Sequence, residues 1–290
     1  MPFHGVLPQR QHIFTAATPH ADIAVSDAAA WRLNPRHRWI YNKLDLALSQ
    51  SQPAAPTGVK PRDLGIADKT RVFVRPMLNL LGMAIGAQAM QADQVPETPG
   101  YMWSTCLEGE QSSTDCLVQR GRARWFAHTV AGEKTARGGP PAYWRIGVAY
   151  PQNETLLAKW IAQNLPDYTG ICNFEVIDGV IIEAHLRGSN GFFDFYGEGF
   201  IPAWVALVDQ DQWLAPPPPP GGYVFSLFAE RDEPIHVADA TLAALSSASV
   251  SIQLDLDDNR RPRAGRIAII RSQAHAAGAA VREQLRQALQ

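Results

Sequence analysis

Asn173-Phe174-Glu175-Val176-Ile177-Asp178-Gly179-Val180-Ile181-Ile182-Glu183-Ala184-His185-Leu186-Arg187 is two apolar runs joined at Asp178-Gly179. The composition predicts two strands, 170–177 and 180–186, folded into a hairpin. Side chains alternate along a strand, so Ile182, Ala184 and Leu186 are expected on one face and Glu183, His185 and Arg187 on the other. The plain reading is a strand with one solvated face. Glu175 on the neighbouring strand adds a second carboxylate, and a hard divalent cation is held by one or two carboxylates plus substrate phosphates. Whether the two acids share a face depends on the turn. A two-residue Asp178-Gly179 turn sets Glu175 opposite Ile182 and separates the acids, whereas a three-residue loop, with Gly179 left-handed, brings them together. The three-residue loop is the expectation.

Working outward, Ser26 caps a short helix that Asn34-Pro35 stops, and 38–49 reads as a helix carrying Lys43. After an extended linker at 53–61, a strand at 70–74 delivers Arg75 to the loop 77–86, where Gly82 and Gly86 permit tight turns. Strands at 100–107, 112–118 and 122–129 read as an antiparallel meander that includes His128. A Gly-rich loop, 132–141, carries Lys134 and Arg137 as lid candidates, and 155–165 is an amphipathic helix capped by Asn153 or Thr155. A helix at 201–210 precedes Pro216 to Pro220 and Gly221-Gly222, a semi-rigid linker. The tail offers strands at 223–228, 250–256 and 266–270 and a helix at 274–289.

With 290 residues and a 46% hydrophobic share, the chain has material for one large domain or two. Lys plus Arg number 26 against 28 Asp plus Glu, in no like-charged block, which argues against a nucleic-acid groove or an anionic membrane as partner. Cys106, Cys116 and Cys172 lack metal-knuckle spacing and read as reduced thiols. No stretch approaches the ~20 apolar residues of a membrane span, and the start lacks an apolar signal core, so a cytoplasmic location is expected.

Four segments together resemble the ATP-grasp superfamily of biotin carboxylase, carbamoyl phosphate synthetase and D-alanine ligase. Phe174-Glu175 with Glu183-Ala184-His185-Leu186-Arg187 resembles that family's metal hairpin, with His185 where the family has Asn. Cys106-Leu107-Glu108-Gly109-Glu110-Gln111 resembles its adenine hinge, with Gln111 at the ribose carboxylate position. Tyr41-Asn42-Lys43-Leu44 and Val72-Phe73-Val74-Arg75-Pro76 resemble the two segments whose lysines reach the nucleotide, the second lysine here being Arg75. The resemblance implies an α/β (α+β) ATP-grasp-like fold, two α+β subdomains with antiparallel sheets enclosing a nucleotide cleft, plus a small C-terminal α/β tail. The implied divisions are a reduced N-terminal region at 1–36, a core at 37–215 with a lid-like part at about 70–150, the linker 216–222 and a subdomain at 223–290.

It also implies ATP and Mg2+ (or Mn2+, favoured by an imidazole) as cofactors. Metal would be held by Glu175, Glu183 and His185, nucleotide by Lys43, Arg75, Cys106, Leu107 and Gln111, and Arg187 and Arg75 would be catalytic. The implied reaction is ATP-dependent ligation of a small-molecule carboxylate to an amine or similar nucleophile, with a homodimer or partner subunit completing the shortened N-terminal side. Two other readings stay open: a non-catalytic nucleotide- or partner-binding protein with a degenerate fold, and a metal-dependent hydrolase or binding protein using Glu183, His185 and a distant histidine.

Overall fold

The structure, a computed structural model, describes residues 2–80, 85–133, 140–189, 191–229, 233–247, 249–262 and 265–289. Gly82, Lys134 and Arg137 lie outside the described residues. In chain order the elements are β1 (Phe3–His4), β2 (Ile23–Ala24), α1 (Asp27–Leu33), α2 (Lys43–Leu48), β3 (Ala54–Pro56), β4 (Arg71–Pro76), β5 (Gln88–Gln91), β6 (Tyr101–Thr105), β7 (Gln111–Gln119), β8 (Arg122–Ala131) and β9 (Tyr143–Val148). They continue with α3 (Pro151–Asn164), β10 (Gly170–Ile177), β11 (Val180–His185), α4 (Phe200–Gln210), β12 (Gly222–Phe228), α5 (Asp239–Leu245), β13 (Val250–Leu254), β14 (Arg266–Ser272) and α6 (His275–Ala288). The chain divides into two compact units. The first comprises Met1–Phe126, Tyr150–Asn190 and Glu198–Pro216, and the second Ala127–Ala149, Gly191–Gly197 and Pro217–Gln290.

In the first unit, β3-β6-β4-β5 form one antiparallel sheet, and β11-β10-β7-β8 lie in that order in another. The expected meander from 100 to 118 is therefore corrected: β6 and β7 belong to different sheets, and residues 106–110 carry the chain between them. Ser26 does cap α1, accepting from the Ala29 amide. Residues 38–49 are not one helix. Arg38–Tyr41 form a 3-10 turn, and the Asn42 side chain then accepts from the Leu44 amide and starts α2 at Lys43.

The core lies on one face of the second sheet. Along β10, Cys172, Phe174 and Val176 alternate into it, joined by Cys116 and Val118 of β7 and by Leu157, Trp160 and Ile161 of α3. The spacing of those three α3 residues is the i, i+3, i+4 stripe of a helix with one buried side. The helix begins at Pro151, where a missing N–H costs nothing, and the side chain of Asn153 is buried and donates to Ser112 Oγ instead of capping. Trp160 meets Phe174 edge to face at 5.5 Å. Each such fully buried large side chain contributes roughly 1.5–3 kcal/mol.

The hairpin differs from the expected geometry. Ile177 pairs with Val180, so Asp178-Gly179 is a two-residue turn, and both central residues have positive φ, 47° and 76°. That register alone would have parted the carboxylates. A bulge restores them: Val176 pairs with Ile181 but Glu175 pairs with Glu183, leaving Ile182 as the extra residue on β11. The bulge also changes the apolar set, so that Ile181, Ala184 and Leu186 enter the core while Ile182 is half-buried.

β11 is the edge of its sheet, and three side chains cover its outward backbone. Gln50 donates from Nε2 to Ile181 O at 2.8 Å and accepts the Ile181 amide at 2.8 Å. Arg75 Nη1 donates to the carbonyl freed at the bulge, Ile182 O, at 3.0 Å, and Tyr41 Oη accepts the Leu186 amide at 3.1 Å. An edge that would invite another strand is thereby closed, and Tyr41 and Arg75 are drawn to the hairpin.

The second unit holds β9, β12, β14 and β13 in that order, all antiparallel. The tail expected at 223–290 therefore shares its sheet with β9 from the middle of the chain. Phe225, Leu227, Ile267, Ala268 and Ile270 pack with Leu285 of α6 in a core of their own.

Candidate active site

Opposite the core, the second sheet of the first unit presents polar side chains in register. Asp115 of β7 pairs with Asn173 of β10, which pairs with His185 of β11, and one row over Ser113, Glu175 and Glu183 stand side by side. Asp115 is fixed by Asn173 Nδ2 at 2.8 Å and the Ser189 amide at 2.7 Å. Gln111, at the start of β7, donates to Glu175 Oε2 at 3.0 Å.

Three cations from separate segments face this surface. Lys43, the first residue of α2, donates to Glu183 Oε1 at 2.8 Å, with side chains only 8% and 18% exposed. Arg75 of β4 is buried at Ile182 O, and its Nε is buried without a hydrogen-bond partner. Arg187, just past β11, donates from Nη2 to Asp27 Oδ2 at 2.8 Å. His185 is held on two sides: Nδ1 lies 2.9 Å from Asp27 Oδ1, and Nε2 lies 3.7 Å from Glu183 Oε1. The Tyr41 ring meets the imidazole edge to face at 5.6 Å.

The two facing glutamates differ in environment. Burial and the neighbouring Glu183 carboxylate push Glu175 above the usual range. Burial would raise Glu183 too, but His185, Lys43 and Arg75 more than offset it and hold it below the usual range. Burial lowers the Arg75 guanidinium, against the pull of Glu183 and Glu175. Asp27 is likewise buried, yet Arg187 and His185 hold its carboxyl far below the ordinary range.

The structure thus brings together Lys43, Arg75, Gln111, Glu175, Glu183, His185 and Arg187. Cys106 and Leu107 lie on the connection 106–110 that enters β7 at Gln111, with the Cys106 amide donating to Arg71 O at 3.3 Å. Asp27 carries no signal in the sequence. An acid one residue after a capping serine is ordinary, and only the fold reveals its partners 158 and 160 residues away.

No family model matches the chain, and no curated protein matches it in sequence. Its structure is similar to that of L-amino acid ligase from Bacillus licheniformis, at TM-score 0.63 and 11% identity over 90% of this chain and 72% of that one. It is also similar to N5-carboxyaminoimidazole ribonucleotide synthetase from Thermus thermophilus, at TM-score 0.57 and 13% identity over 93% and 82% of the chains. A third likeness is to carboxyaminoimidazole ribonucleotide synthase from Aspergillus clavatus complexed with ATP, at TM-score 0.59 and 12% identity over 97% and 84%. The fold is ATP-grasp.

The residues gathered here fit a divalent cation and a polyphosphate by their chemistry. Glu175 and Glu183 are a paired oxygen donor set, and the unbonded Nε of Arg75 is a buried donor lacking an acceptor. Among the described residues no group of three or more His, Cys, Asp or Glu side chains forms a ready metal centre. Two carboxylates leave most of a divalent cation's shell to other oxygens, and Lys43 and Arg187 are each paired with a carboxylate, Glu183 and Asp27. Among the described residues no helix is long and apolar enough to cross a membrane.

Proposed function

We propose that the chain is an ATP- and Mg2+-dependent ligase that activates a small-molecule carboxylate as an acylphosphate for attack by an amine or similar nucleophile. The observation that carries this reading is the Glu175–Glu183 pair, brought face to face by a bulge, with Lys43 and Arg75 arriving from two distant segments and Arg187 following on the same strand. The names of the similar structures, a ligase and a synthetase, agree with it.

In this reading Glu175 and Glu183 would hold Mg2+, which would draw negative charge off the phosphates. Lys43 and Arg75 bind and orient the polyphosphate, and Gln111 faces the nucleotide from the hinge side. The substrate carboxylate attacks the terminal phosphorus and ADP departs; the nucleophile then attacks the acyl carbon, expels phosphate and loses a proton. Arg187 lies against the reacting groups and disperses charge as the phosphoryl group moves. The chain's contribution is positioning and fixed positive charge, the main needs of phosphoryl transfer.

A second reading, a nucleotide binder without turnover, is favoured by one observation: Lys43 and Arg187 are both already paired with carboxylates. Thermal-shift titration with ATP and Mg2+, followed by a phosphate-release assay over carboxylates and amines, separates the two. Ligand at a hundred times its dissociation constant stabilises by about 2.7 kcal/mol, roughly 5–10 °C at this size. A metal-dependent shift lost in Glu183→Gln, with phosphate release, is the expected result. A shift without release under any substrate supports the binder, and no shift at all refutes both.

A further inference from the structure

We propose that the first unit carries a binding surface for single-stranded nucleic acid, built from arginines and tryptophans of the segments 31–38, 120–124 and 211–213. None of these residues takes part in the proposed ligase chemistry, so either reading can fail without the other.

No run of the sequence is basic enough to announce such a surface, and the balance of 26 Lys plus Arg against 28 Asp plus Glu argues against one for the chain as a whole. The fold gathers it locally. Both residues of the Arg120-Gly121 turn between β7 and β8 have positive φ, 47° and 73°, as a tight two-residue hairpin requires. Gly121 sits against Pro166, so closely that a Cβ would lie 2.6 Å from the proline Cα, and its amide donates to Tyr168 O at 2.9 Å. The Arg120 amide donates to Thr169 Oγ1 at 3.0 Å. From another direction Arg36 Nη2 donates to Asp167 Oδ2 at 2.8 Å, and the His37 ring meets Tyr168 edge to face at 5.4 Å. The segment 166–169 thereby ties Arg36-His37-Arg38 to the turn Arg120-Gly121-Arg122. Arg120 also pairs with Asp211, and Arg124 lies over the Trp213 ring at 5.2 Å, as Arg38 lies over Trp31 at 5.0 Å.

Five exposed arginines, at positions 36, 38, 120, 122 and 124, are joined in this way to two aspartates, Asp167 and Asp211, and each aspartate already has an arginine. Arg38, Arg122 and Arg124 have no carboxylate partner among the described residues, so three positive charges stand open. Trp31 and Trp213 are half-buried, and each is the platform of one of these arginines. An acidic peptide needs only the charge. A single strand of nucleic acid needs charge for its phosphates and flat faces for its bases, and a guanidinium stacked on an indole supplies both in one place.

The test is a titration of fluorescein-labelled oligouridine, about 20 nucleotides long, with the full chain, followed by anisotropy. Three neutralised phosphates give a slope of about −2 in log affinity against log salt, so binding should weaken about 20-fold between 50 and 200 mM NaCl. Arg38→Glu/Arg122→Glu should bring the slope to about −1 or shallower and weaken binding at the lower salt. Its melting temperature should stay within about 2 °C of the wild type, because both side chains are exposed. Trp213→Ala should lose about fivefold or more in affinity, along with part of the tryptophan quenching that stacked bases produce. No anisotropy change at 50 mM NaCl, an affinity independent of salt, or full binding by the double variant overturns the proposal. Poly-glutamate that competes as well as unlabelled oligouridine overturns it too, since the surface would then serve an acidic protein.

Discussion

Replacing Lys43 by Met removes the ammonium that lies 2.8 Å from Glu183 Oε1 and leaves a carboxylate with an 18% exposed side chain beside His185 and the bulge. Breaking a buried pair from one side costs about 3–5 kcal/mol, because the remaining charge keeps its desolvation cost and loses its partner. The residual exposure of Glu183 and the nearby charge of Arg75 place the loss at the lower end, about 3 kcal/mol. Glu183→Gln strands Lys43 in the same way, and the double variant removes both charges at once. Its loss should fall short of the sum of the single losses by about 2 kcal/mol. Urea unfolding followed by circular dichroism measures all four corners of the cycle, and the Lys43→Met melting temperature should fall by roughly 6–12 °C. Single losses that simply add, with a coupling below about 0.5 kcal/mol, would refute the reasoning, since the pair would then not exist in solution.

Glu175→Gln should stabilise the free protein while abolishing the metal-dependent ATP shift. Burial and Glu183 raise the Glu175 pKa, so its charged form costs stability only as pH climbs above the ordinary glutamate value of about 4.3. The gain of the variant should be near zero at pH 4 and grow toward pH 8; melting curves at both pH values check it, and a pH-independent difference would contradict the assignment. In the second unit, Gly278→Ala should destabilise, although alanine is better in a helix by about 1 kcal/mol. Its Cβ would run into the Phe225 ring, and overpacking of this kind costs about 1–3 kcal/mol, read by the same melting assay.

Local chemistry makes the hairpin legible. Asp-Gly between two β-branched runs marks a turn, and a period of two separates acid from apolar residues. The segments of Lys43, Arg75 and Gln111 are placed beside it only by their resemblance to ATP-grasp motifs, since nothing within each short segment says what it packs against. What stays hidden depends on pairing at a distance. The bulge at Ile182 is invisible because isoleucine fits a regular strand as well as an irregular one, so the turn differs from the expected loop while the acids come to face each other by another route. The assignment of β6 and β7 to separate sheets, and of β9 to the tail's sheet, follows from which edges find partners, which single-segment patterns do not encode. The partners of Asp27 are hidden most completely, since both contacts are made across more than half the chain.

The unpaired Nε of Arg75 sets stability against use. A buried donor without an acceptor costs about 1–3 kcal/mol. In the proposed reading, an anion that takes this donor would return the cost as affinity, so part of the binding strength would be held in the scaffold beforehand. The same side chain closes the bulge through Nη1 on Ile182 O, so an apolar residue at position 75 would remove the unpaired donor only by orphaning that carbonyl, and the strain and the seal come as one residue.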